Sequence, residues 1–100
     1  MTIKEWQEEI HKYAIDKGWW NEPRPIPELL CLMHSEISES LEAYRAGFPD
    51  TWDNFKEELA DLVIRVMDTC EALDIDLEKE INKKHQHNLT RPYRHGGKKC

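Results

Sequence analysis

The sequence predicts an all-α fold of four helices, forming one small domain over residues 1–100. Three observations carry that expectation. Apolar side chains recur at three- and four-residue intervals through most of the chain. Glycine and proline punctuate the chain between those stretches. No stretch makes a convincing strand.

The first helix runs from Ile3 to about Lys17, with Ile3, Trp6, Ile10, Tyr13 and Ala14 at helical spacing and Gly18 suited to its end. Trp19 to Pro27 carries three prolines and is a connection. Pro27 suits the first turn of a second helix that reaches about Ala46, where Gly47 ends it. Its apolar stripe is Leu30, Met33, Ile37, Leu41 and Tyr44. Phe48-Pro49-Asp50 forms a turn, and Thr51 is placed to cap a long third helix with Asp53 in its first turn. That helix is expected to bury Phe55, Leu59, Leu62, Val66, Cys70 and Leu73. Asp76 caps a fourth helix that carries Leu77 and Ile81 and extends to about Leu89, before Pro92 and Gly96-Gly97 rule out regular continuation. A basic tail follows from about residue 90.

A chain of 100 residues has limited capacity to bury surface alone, so a partner chain is a natural supplement. With 39% hydrophobic and 34% charged residues, the composition is that of a soluble globular protein, not a disordered one. No apolar run approaches the roughly 20 residues of a membrane span, and Met1-Thr2-Ile3-Lys4-Glu5 lacks the apolar core of a signal peptide. A cytoplasmic location is the expectation. Cys31, Cys70 and Cys100 are odd in number and form no CxxC pair, which favours reduced thiols, with Cys31 and Cys70 as small buried hydrophobes.

Charge is unevenly distributed. All 20 acids precede position 81, leaving 8 bases against 20 acids in the first eighty residues, a balance of −12. The last twenty residues hold Lys83, Lys84, Arg91, Arg94, Lys98 and Lys99 with no acid. Such a tail can dock on its own acidic body, bind nucleic acid, or close over an anionic ligand held on that body.

Two acidic pairs stand out, Glu36-x-x-Glu39 and Glu58-x-x-Asp61. Residues three apart are neighbours on a helix, so each pair sets like charges side by side, a cost that a cation reverses. Each pair sits at roughly 90° and 150° from its helix's apolar direction, on the same side. Antiparallel packing across the short turn therefore lets the pairs converge on one edge. The plain alternative is two solvated faces in a chain rich in acids. Carboxylates without cysteine or an evident histidine partner favour a hard cation: Mg²⁺, with Mn²⁺ as substitute. No D-x-D-x-D-G calcium loop is present, and His85-x-His87 points to two faces and makes a weak zinc site. A Walker-type loop and a Ser-His-Asp order are also missing, which leaves water as the expected nucleophile.

Three segments together carry a resemblance: Leu32-Met33-His34-Ser35-Glu36-Ile37-Ser38-Glu39, then Glu57-Glu58-Leu59-Ala60-Asp61-Leu62-Val63-Ile64-Arg65, then Lys84-x-x-x-Asn88-x-x-Arg91-Pro92-Tyr93-Arg94-His95-Gly96. Over roughly Pro27 to Lys98 the chain resembles the MazG-like all-α nucleoside triphosphate pyrophosphohydrolases. The resemblance implies a four-helix MazG-like module completed by homo-oligomerisation, as a dimer or a dimer-of-dimers tetramer. It implies Mg²⁺-dependent hydrolysis of a nucleoside triphosphate to monophosphate and pyrophosphate, in housecleaning of the nucleotide pool. Glu36, Glu39, Glu58 and Asp61 map onto the family's metal ligands, and Glu39 is the choice for orienting or deprotonating water. No membrane and no nucleic-acid partner are expected.

Lys84, Asn88 and Arg91 share one helical face and can bind phosphate oxygens or sugar hydroxyls, with Arg94, His95 and Lys98 adding charge. The bland reading is an exposed amphipathic end. Trp19-Trp20 offers a stacking plate for a base, or else a core or interface anchor. His34, one turn before the acids, either touches the ligand or is an ordinary interfacial residue. Phosphoribosyl-ATP hydrolysis on the same scaffold and a non-enzymatic helical interaction module are the competing functions.

Overall fold

The computed structural model describes residues 1–94, and within them the chain forms four helices: α1 (Ile3–Asp16), α2 (Ile26–Gly47), α3 (Trp52–Ala72) and α4 (Leu77–Leu89). Each starts close to where the sequence predicts. Thr2 caps α1 in a reciprocal box, its hydroxyl accepting from the Glu5 amide at 3.1 Å while its own amide donates to Glu5 Oε1 at 2.8 Å. Gly18 follows in the left-handed region at φ +86°, the conformation that lets the chain leave the helix. Pro27 occupies the first turn of α2, and the Asp76 carboxylate accepts from the Lys79 amide at 3.1 Å to cap α4. Thr51 departs from expectation. Instead of capping α3, its hydroxyl donates back to the Ala43 carbonyl and staples the α2–α3 turn.

The third helix is the hub, with α2 and α1 both packed on it and α4 fastened to α1. That last attachment is polar. Gln7, only 2% exposed, donates to Glu71 Oε1 at 2.9 Å and to the Ile75 carbonyl at 2.6 Å, and accepts from the Leu77 amide at 3.3 Å. The Ile3 amide donates to Glu78 Oε1 at 3.1 Å beside it. One glutamine thus ties α1 to the end of α3 and the start of α4. Among the described residues no helix is long and apolar enough to cross a membrane.

The orientation of α2 overturns its sequence reading. The expected buried stripe is largely solvent-facing, with Leu30, Ile37, Leu41 and Tyr44 each about half exposed. Facing inward instead are Leu29, Glu36, Ser40 and Ala43. Helix α3 behaves similarly: Leu59 in its second to third turn and Leu73 just past its end are exposed, while Leu62, Val66 and Cys70 face the interior. Cys31 is likewise exposed, whereas Cys70 is buried as expected. The physical reason is that α2 and α3 meet through the flank carrying the acids. The richest apolar strip is then left about half exposed among the described residues. The buried hydrophobes that remain, Ala14, Leu29, Ala43 and Cys70, are mostly small. Aromatic rings continue the exposed strip at the α2–α3 end, where Trp52 stacks on Phe55 at 5.1 Å and Phe48 meets Trp52 edge-on at 5.5 Å.

Candidate metal centre and adjoining cavity

Because α2 turns its acidic flank inward, the two pairs converge. One carboxylate oxygen from each of Glu36, Glu58 and Asp61 lies within 4.8 Å of the others. Glu36 comes from the middle of α2, and Glu58 and Asp61 from the second and third turns of α3, so packing of the two helices alone creates the cluster. Glu39 is exposed at its edge, with its carboxylate against that of Glu58.

The electrostatics of the cluster are asymmetric. Arg65 Nε donates to Glu36 Oε1 at 2.7 Å, and this charge-assisted bond holds the Glu36 carboxyl below its ordinary value despite burial. Among the described residues Glu58 has no such cation. Burial pushes its carboxyl up to about 7, helped by the neighbouring Glu39 and Glu36 carboxylates, whose negative charge disfavours its ionised form. Glu36 Oε2 and Glu58 Oε2 are both buried and, among the described residues, without a hydrogen-bond partner. Buried acceptors are normally satisfied, and two orphaned ones facing a third carboxylate fit a hard divalent cation. Oxygen donors alone, with no thiolate or imidazole among them, suit Mg²⁺ or Mn²⁺.

Against this cluster lies a cavity of about 310 Å³ between α1, α2 and α3, with Glu36 and Asp61 in its wall. Its apolar lining includes Ile10, Tyr13 and Ile64, and Trp19, 64% exposed, stands at its mouth. Arg24, Arg65 and Asp68 supply its polar groups. Trp19 therefore reaches the site region, whereas Trp20 turns inward and donates through Nε1 to both Asp68 oxygens at 3.1 Å. His11 Nδ1 lies 2.7 Å from Asp68 Oδ1. A carboxylate offers only acceptors, so the proton of His11 sits on Nδ1. The Arg24 guanidinium lies over the Trp20 ring at 4.8 Å from its centre.

The other expected ligand-binding residues lie apart. His34 is exposed on α2 and outside the cavity wall. Lys84 and Asn88 are exposed on α4, with Arg91 and Arg94 just beyond it, and none lines the cavity. His95 and Lys98 lie outside the described residues. Arg65 and Asp68 gained no role from the sequence, yet the signal was present. Asp61, Arg65 and Asp68 are spaced i, i+4, i+7, one helical face continuing from the metal acids. His11 and Arg24 carried no comparable pattern.

No family model matches the chain, and neither a curated protein nor a solved structure matches it.

Proposed function

We propose that this chain is a Mg²⁺-dependent nucleoside triphosphate pyrophosphohydrolase of the MazG-like kind, releasing a nucleoside monophosphate and pyrophosphate. The observation that carries the reading is the pair of orphaned buried oxygens, Glu36 Oε2 and Glu58 Oε2, grouped with Asp61 beside a ligand-sized cavity. The ordered acid pairs and the Asn-x-x-Arg-Pro-Tyr-Arg-His-Gly tail support it independently.

Glu36, Glu58 and Asp61 would hold the ion, with Glu39 completing the set. When bound, Mg²⁺ supplies charge neutralisation on the phosphate oxygens and acidifies water. The chain's own groups do the rest. Arg65 fixes the Glu36 carboxylate and keeps it ionised at neutral pH. Glu39, exposed at the edge of the cluster, is placed to orient a water and accept its proton. Water oxygen bonds to the α-phosphorus, the α–β bridging bond breaks, and its electron pair leaves on pyrophosphate. The cavity excludes bulk water from one side of this centre.

Lys84, Asn88, Arg91 and Arg94 serve the phosphates or sugar only if a second copy brings its α4 to this site. The exposed strip of Leu30, Ile37, Leu41 and Tyr44 supports such self-association, as a dimer or a pair of dimers. Housecleaning of the nucleotide pool in the cytoplasm is the role that fits. A panel of standard and modified nucleoside triphosphates, with phosphoribosyl-ATP included, scored for pyrophosphate against orthophosphate, tests the reaction class. Glu58→Gln and Asp61→Asn are expected to abolish pyrophosphate release while helicity is retained. Unchanged turnover in both variants overturns the proposal.

A further inference from the structure

The cavity beside the acids contains a carboxylate that phosphate chemistry does not use. Asp68 lies seven residues beyond Asp61 on the same face of α3, about 10 Å along the helix. That is close to the span of a nucleotide from its α-phosphate across the sugar to the far edge of the base. Asp68 is held rigidly. His11 Nδ1 contacts Oδ1 at 2.7 Å, and Trp20 Nε1 is shared between Oδ1 and Oδ2 at 3.1 Å. A carboxylate has about four lone-pair sites, so Asp68, which lines the cavity, keeps acceptor capacity beyond these contacts.

We propose that this cavity takes the nucleobase and that Asp68 selects bases carrying an exocyclic amino group over uracil and thymine. The inference rests on the pyrophosphohydrolase reading for the placement of the triphosphate. Trp19 and Tyr13, largely exposed at the cavity, supply faces for stacking. Asp68 accepts from the amino group, and Arg24, in the same wall, offers donors to a ring nitrogen or carbonyl. Uracil and thymine place a carbonyl where the amino group stands, so acceptor meets acceptor in a partly dehydrated pocket. A polar site of this kind rejects the mismatched analogue more strongly than an apolar pocket rejects a change of size.

CTP and UTP differ only along this edge, in the C4 substituent and in whether N3 carries a hydrogen, and form the decisive pair. In the wild type, kcat/KM is expected to favour CTP by about tenfold or more, chiefly through KM. Asp68→Asn preserves an acceptor for Trp20 and His11 but also presents an amide N–H, so the CTP-to-UTP ratio should fall about tenfold while helicity and Mg²⁺ affinity are unchanged. A structural role for Asp68 would depress both substrates equally; an unchanged ratio overturns the proposal. Titration of CMP and UMP without Mg²⁺, followed by tryptophan fluorescence, separates the two readings. Should the wild type hydrolyse no triphosphate, the pyrophosphohydrolase reading fails, and the titration alone decides the pocket. A CMP preference lost in Asp68→Asn supports it; equal binding of the two, or none, overturns it.

Discussion

The protonation state of Glu58 leads to a quantitative expectation for metal binding. Its carboxyl is raised from an ordinary value of 4.5 to about 7, because the half-buried group lies beside two other acids with no cation of its own among the described residues. A hard cation binds the ionised form, so binding below pH 7 must expel a proton. At about pH 6 roughly nine-tenths of Glu58 is protonated, and at about pH 8 roughly one-tenth. Apparent Mg²⁺ affinity should therefore fall about tenfold from pH 8 to pH 6, with close to 0.9 proton released per ion at the lower value. Calorimetric titration at both pH values, in two buffers of different ionisation enthalpy, measures affinity and proton count together. Glu58→Gln removes both the ligand charge and the titration, so its weaker binding should be nearly independent of pH. Flat affinity and no proton release in the wild type would refute the assignment of this proton and the cation's place on Glu58. The metal-free stability has a definite sign as well. A carboxyl whose folded value is raised stabilises the fold below its unfolded value, and that contribution is lost as pH rises through about 7. Added Mg²⁺ should offset the loss, seen as a larger thermal shift at pH 8 than at pH 6.

Three further outcomes are expected. Arg65→Met leaves the Glu36 carboxylate buried without its cation; because Arg65 is itself 37% exposed, solvent lowers the cost to about 1–2 kcal/mol, read by chemical denaturation and partly restored by Mg²⁺. Gln7→Ala strips hydrogen bonds from Glu71, the Ile75 carbonyl and the Leu77 amide, and should cost about 2 kcal/mol, a fall in thermal midpoint of roughly 8–16 °C by circular dichroism. Ile37→Asp with Leu41→Asp places charge on an exposed apolar strip, so sedimentation velocity should show loss of self-association while far-ultraviolet helicity persists.

Much of the fold was legible because the signals were local. Gly18, Pro27 and Asp76 mark helix ends through their own local chemistry, and all three do so in the structure. Convergence of the acids was also legible, since spacing of three and a short α2–α3 turn need no knowledge of the interior. The inward face of α2 was not. Equating the apolar stripe with the core assumes that the chain is its own partner, and Leu30, Ile37 and Leu41 break that assumption. Tertiary hydrogen bonds were equally hidden: nothing local links His11 and Trp20 to Asp68, 57 and 48 residues away. Arg65 was overlooked for a different reason. An arginine beyond an acidic pair resembles a surface residue until Glu36 is known to be buried.

Helix α2 turns Glu36 and Ser40, beside Leu29 and Ala43, toward its own chain and an apolar strip away from it, so the self-association proposed above would make concentration a thermodynamic variable. The strip that a second copy would cover and Glu36, the α2 carboxylate that would help hold the ion, occupy adjoining faces of the same four-turn segment, Leu30 to Tyr44. By mass action, dilution should then lower the melting temperature and weaken cation binding in parallel, and added cation should sharpen self-association by the same factor. The chain would thus sense its own abundance through a single helix.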